Sequence, residues 1–187
     1  MNTSRPRFGP AFALSLALLG LATVGFVSAR NGAGTILCAM CLVGLIAGGI
    51  VGVPGRVLLL VAFGFMVAIW LTQVDHSANS RETSALAHAI GGSLIGWALV
   101  EALRHRIRNW LSLGLVVLST VVVLTVVWEL GEWIGDRLFD TALIPRLSDS
   151  AEDILFGVVG GMVGMAFAIV VAFLQRSREV RRGPADS

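Results

Sequence analysis

The chain has 187 residues, of which 56% are hydrophobic and 14% are charged, and its formal net charge is +2. Soluble domains carry about 25% charged residues, so the composition excludes an ordinary soluble domain and indicates a polytopic membrane protein. Because most basic residues flank apolar runs, we interpret the basic balance as a topology signal and expect no nucleic-acid partner.

Uncharged runs of this length predict transmembrane helices, because about 20 residues at ~1.5 Å rise cross a hydrocarbon core of ~30 Å. The candidate spans are residues 9–29, 34–53, 57–74, 83–103, 110–131 and 153–174. The predicted fold class is all-α, a polytopic bundle of about six transmembrane helices in a lipid bilayer.

The arginines predict the orientation of this bundle. With the N-terminus in the cytoplasm, ten of the 14 basic residues lie inside and four lie outside. This bias follows the positive-inside rule and predicts a multi-pass membrane protein with both termini cytoplasmic. We assign residues 1–175 to the transmembrane domain and residues 176–187 to a basic polar cytoplasmic tail.

The first span has a second interpretation. Arg5 and Arg7, an apolar run and the triplet Val27-Ser28-Ala29 resemble a secretory signal with a cleavage site. The apolar run is about 20 residues long, whereas a signal core usually has ~7–15. We therefore expect the segment to be retained as a span.

Spans two and three are predicted to form an antiparallel hairpin, because Pro54 and Gly55 make a tight turn between them. Span two contains Cys38 and Cys41, one helical turn apart. Small apolar packing is the expected role for both cysteines, and a metal or redox pair is the alternative.

Span five ends in an acidic stripe, WELGEWIGDRLFD. Glu129, Glu132 and Asp136 are spaced three and four residues apart, which places them on one helical face, and Asp140 continues it. Counted from Trp110, Glu129 lies about 28 Å along the helix, at the predicted outer boundary of the hydrocarbon core. The simpler interpretation is a set of boundary acids paired with arginines, Arg81 or Arg137.

Two further polar residues are predicted on the same side. His88 lies about 8 Å into span four from its outer end, and Asp153 opens span six. A hydrogen-bonded packing role for His88 and a helix-start role for Asp153 are the alternatives.

Span six contains two interleaved GxxxG pairs, Gly157/Gly161 and Gly160/Gly164. Small residues let membrane helices approach closely, so we predict helix packing for all four.

Hard divalent cations bind oxygen ligands, which this set of acids offers. We predict a divalent cation (Mg²⁺, Mn²⁺ or Ca²⁺) held by Glu132, Asp136 and Asp153. Such an ion would polarise a phosphate at headgroup depth. Glu129 or His88 would serve as the catalytic base.

The order of the acidic helix end WELGEW, a short polar loop and Ser150-x-x-Asp153 before a glycine-rich span resembles VanZ-like and YjdF-like bacterial membrane proteins. The resemblance covers Glu129–Gly164. It implies an envelope-associated, multi-pass protein of the bacterial inner (cytoplasmic) membrane, in a family without an assigned activity.

Three functions follow from these features. The first is a metal-assisted enzyme acting on a phosphorylated or lipid-linked envelope substrate at the outer face. The second is a non-catalytic assembly or scaffolding subunit, packed through its glycine faces against a membrane partner or a second copy. A cation or solute carrier ranks third, because carriers generally place ionisable groups near the membrane midplane.

Overall fold

The computed structural model describes residues 9–74, 80–139 and 147–182. These residues form six α-helices and no strand, which confirms the all-helical prediction for this part of the chain. The helices are α1 (Pro10–Ser28), α2 (Gly32–Val51), α3 (Gly55–Val74), α4 (Ser80–Leu103), α5 (Trp110–Phe139) and α6 (Leu147–Arg182). Each helix overlaps one predicted span, and α6 continues through residues 176–182 of the predicted tail.

Five of these helices, all except α3, are long and apolar enough to cross a membrane. The remaining helix, α3, has a shorter apolar stretch, Gly55–Trp70, within the residues whose side chains the structure describes. The lengths and compositions of the helices therefore support an integral membrane protein.

Local sequence signals account for the helix ends around α2. The side chain of Asn31 caps the start of α2, where its Oδ1 accepts a hydrogen bond from the Gly34 N–H at 2.9 Å. At the other end, Gly52 has a φ of 94°, a left-handed conformation that glycine adopts without steric cost. The Val53 N–H then donates to the Gly48 carbonyl at 2.9 Å, and α3 begins two residues later. The predicted tight turn between these two helices is present.

The buried apolar side chains fall into two groups that share α4. One group joins α1, α2 and α3 with the C-terminal half of α4, and it includes Leu19, Leu37 and Leu45. The other joins α4, α5 and α6 around Val100, Leu113 and Val117. Because α4 contributes to both groups, it is the central helix of the bundle.

The most extensive helix contact joins α4 and α6, which run parallel and touch backbone to backbone. A Cβ atom at Gly160 would overlap the backbone of Ala89, and one at Gly164 would overlap the backbone of Ser93. The Ser93 hydroxyl also donates to the Gly160 carbonyl at 3.0 Å. We call this contact the α4–α6 seam.

Glycines of α4 complete the seam from the other side. A Cβ atom at Gly92 would overlap the Gly157 carbonyl, and one at Gly96 would overlap the Gly161 carbonyl. Gly157 and Gly161 also lie against α5, since a Cβ atom on either would meet the side chain of Thr125 or Val121 respectively. The two GxxxG pairs of α6 therefore face different neighbours, and together they hold α4, α5 and α6 in close contact.

Candidate functional site

Three polar residues meet where α4 and α6 begin and α5 ends. His88 lies eight residues after the first residue of α4, and Asp153 lies six residues after the first residue of α6. Glu129 lies ten residues before the last residue of α5. One ligand atom of each residue lies within 4.8 Å of the other two. We call this group the His88 cluster.

The imidazole of His88 lies between the two carboxylates. Its Nε2 atom is 3.0 Å from Oε1 of Glu129, and its Nδ1 atom is 3.5 Å from Oδ1 of Asp153. Nδ1 also lies 3.0 Å from the backbone carbonyl of Ser84, one helical turn earlier. The Ser84 hydroxyl donates a hydrogen bond to Oδ2 of Asp153 at 2.9 Å. This hydrogen bond holds the Asp153 carboxylate on the same side of the imidazole ring as Nδ1.

The carboxylate of Glu129 is buried and accepts no hydrogen bond from the described residues. Its residue is 6% exposed, and neither of its oxygens has a hydrogen-bond partner within the described part of the chain. Nε2 of His88 also has no hydrogen bond among the described residues, although it lies 3.0 Å from Oε1 of Glu129, a distance at which a protonated ring forms an ion pair with the carboxylate. A buried carboxylate in this condition is costly, since groups removed from water need a compensating partner.

Glu132 is also buried, at 6% exposure, but its surroundings differ. Its Oε1 accepts a hydrogen bond of 2.7 Å from the indole N–H of Trp128. The indole in turn stacks on Phe65 of α3, with 5.9 Å between ring centroids and 5° between ring planes. The helical spacing predicted Glu132 as a metal ligand, whereas in the structure it is not one of the three residues of the His88 cluster and is hydrogen-bonded to Trp128.

The rest of the acidic stripe lies farther along α5. Asp136 is partly buried and is not one of the three residues of the His88 cluster. Arg137 lies over the ring of Trp133, with its guanidinium carbon 4.5 Å from the ring centroid. Asp140 and the side chain of Arg81 lie outside the described residues, so their predicted roles stay predictions.

Of the five residues predicted to carry chemistry, three are brought together: His88, Glu129 and Asp153. Ser84, which contacts both His88 and Asp153, was not predicted from the sequence; its position one helical turn before the histidine was the available signal. The hydrogen bond from Trp128 to Glu132 was also not predicted, although their i, i+4 spacing allows one.

The two cysteines of α2 lie away from this site. Cys38 and Cys41 are free thiols in the core around α1, α2 and α3, and their residues are 1% and 2% exposed.

Comparison with known protein families, with curated proteins and with solved structures finds no match for this chain. The resemblance to VanZ-like and YjdF-like proteins therefore stays a prediction.

Proposed function

We propose that this protein is an integral membrane protein of the bacterial inner membrane that binds a divalent cation in the His88 cluster. The supporting observation is the Glu129 carboxylate, which is buried, has no hydrogen bond among the described residues and lies 3.0 Å from a ring nitrogen of His88. A cation bound to both atoms from the side would give each of them a ligand bond, and neither atom has a hydrogen bond among the described residues.

The orientation of the site follows from the arginine distribution. Under the positive-inside rule, the starts of α4 and α6 and the end of α5 lie at the extracytoplasmic face. No charged residue occurs in α4 between His88 and Glu101, in α5 before Glu129, or in α6 between Asp153 and Arg176. The cluster would therefore lie at the outer boundary of the hydrocarbon core, close to lipid headgroups.

A substrate with a phosphate at that depth fits the site best. When bound, a divalent cation supplies positive charge that polarises a phosphoryl oxygen. The chain itself would hold the cation through His88 and Glu129 and exclude water by packing α4 against α6. We therefore propose a phosphorylated or lipid-linked envelope substrate.

Metal content tests the proposal. Detergent-purified wild-type protein is compared by mass spectrometry with Glu129→Gln and, as a control, Glu82→Gln, which removes an exposed acid from the first turn of α4. We expect a near-stoichiometric divalent ion in the wild type and the control, and its loss in Glu129→Gln at unchanged folding. Wild-type protein that stays free of metal after Mg²⁺, Mn²⁺, Ca²⁺ or Zn²⁺ is added would refute the site and favour the assembly-subunit hypothesis.

A further inference from the structure

The backbone contact of His88 determines which ring nitrogen is available to a ligand. Nδ1 lies 3.0 Å from the Ser84 carbonyl oxygen, and a carbonyl oxygen only accepts hydrogen bonds. Nδ1 must therefore carry the proton of that hydrogen bond. In the neutral ring, the lone pair then lies on Nε2, the atom that faces Glu129.

The contact between Nε2 and Glu129 has the geometry of two ligands of one ion. The atoms are 3.0 Å apart, and neither has a hydrogen bond among the described residues. If an ion lies about 2.1 Å from each of two ligand atoms and the ligand–ion–ligand angle is about 90°, the two ligand atoms are about 3.0 Å apart. Tetrahedral ligands at about 2.0–2.1 Å would be about 3.3–3.4 Å apart. The separation therefore fits neighbouring positions of a six-coordinate ion.

The groups around His88 are those that hold a metal-binding histidine in place. Metal-bound histidines usually donate their other N–H to a backbone carbonyl or a carboxylate. Here Ser84 provides the carbonyl, and Asp153, held by the Ser84 hydroxyl, lies 3.5 Å from Nδ1. Asp153 is thus a positioning residue for the ring, whereas its place at the start of span six led to its prediction as a metal ligand.

We infer that the site selects a six-coordinate transition-metal ion of the Mn²⁺ or Fe²⁺ class, bound through Nε2 of His88 and the carboxylate of Glu129. This inference rests on the proposed function and names its ligand. Imidazole suits transition ions, whereas Mg²⁺ and Ca²⁺ are hard ions that take oxygen ligands. The two protein ligands leave coordination positions for water or a substrate oxygen, in keeping with a phosphate-bearing substrate.

Electron paramagnetic resonance of Mn²⁺ tests the inference directly. Protein stripped with a chelator is titrated with Mn²⁺, and the signal of the free aqueous ion reports binding. Pulsed spectra of the bound ion should show coupling to one directly bound imidazole nitrogen. In competition, Mg²⁺ and Ca²⁺ should displace Mn²⁺ only at concentrations at least about a hundredfold higher, because they lose the nitrogen ligand.

Two variants separate the roles of the residues. In His88→Asn the nitrogen coupling should disappear and Mn²⁺ affinity should fall by more than a hundredfold, while Asp153→Asn should keep the coupling and lose about 10–100-fold in affinity. Binding of Mn²⁺ and Mg²⁺ with equal affinity and no nitrogen coupling would overturn the inference and leave the proposed function standing. Binding of no ion would overturn both. The nitrogen coupling and the competition between ions are measured on the wild-type protein. The test therefore remains valid even if a variant does not fold.

Discussion

Gly164→Ala tests whether the α4–α6 seam needs direct backbone contact. A Cβ atom at residue 164 would lie 2.6 Å from the carbonyl carbon of Ser93. Carbon atoms in favourable contact are about 3.5–4.0 Å apart, so the two helices would have to separate by about 1 Å. Because the obstacle is backbone, no change of side-chain rotamer relieves the overlap.

Two unfavourable effects and one favourable effect determine the change in the free energy of unfolding. Overpacking of a tight contact costs about 1–3 kcal/mol. The separation would also break the hydrogen bond from Ser93 to the Gly160 carbonyl, now 3.0 Å long. Alanine recovers about 0.5–1 kcal/mol over glycine inside a helix. We expect a net loss in the free energy of unfolding on the order of 1–2 kcal/mol.

The assay is thermal unfolding in detergent, and Gly44→Ala is the matched control. A Cβ atom at Gly44, also inside an apolar helix, would meet nothing within 4 Å. The control should therefore be as stable as the wild type or slightly more stable, whereas Gly164→Ala should unfold at a lower temperature. Equal unfolding temperatures for the two variants would refute the close seam and the placement of α6 that it supports.

Three further variants probe the contacts around α5. Gly157→Ala should destabilise the protein, because its Cβ would lie 2.7 Å from the methyl carbon of Thr125. Adding Thr125→Ser removes that methyl and should restore stability; strictly additive effects in a double-mutant cycle would contradict this contact. Trp128→Phe removes the indole N–H that donates to Glu132. Because the acceptor is an ionisable carboxylate, we expect the free energy of chemical unfolding to fall by about 1.5–3 kcal/mol. An unchanged free energy would show that this hydrogen bond does not stabilise the fold. Leu113→Ala, at a residue 0% exposed, should lose about 2 kcal/mol or more through the cavity it leaves, and an unchanged unfolding curve would place this side chain against lipid instead.

The sequence predicted the helices well because the membrane restricts the choices. Without water, the backbone must satisfy its own hydrogen bonds, so long apolar runs become helices whatever their neighbours are. All six helices overlap the predicted spans, and the turn before Gly55 is present. The ends were less predictable, because α5 and α6 extend beyond the apolar runs into polar sequence.

The acidic stripe shows what helical periodicity leaves open. Glu129 and Glu132 are three residues apart, about 60° around the helix axis, which the pattern treats as one face. In the bundle the two acids have different contacts: Glu129 lies 3.0 Å from Nε2 of His88, whereas Glu132 accepts a hydrogen bond from Trp128, whose ring stacks on Phe65 of α3. Periodicity orients side chains on their own helix and contains no information about the neighbouring helices.

The sequence by itself predicted an all-helical, apolar bundle, the six helices of the described residues and the end of the bundle where polar residues collect, because these depend on composition and on distance along one helix. Only the tertiary structure decided that His88, Glu129 and Asp153 meet and that the Ser84 hydroxyl binds Asp153 beside the histidine. Those contacts join residues far apart in the chain. They exist because α4 and α6 pack backbone to backbone, and they depend on distances of about an ångström that no sequence spacing encodes.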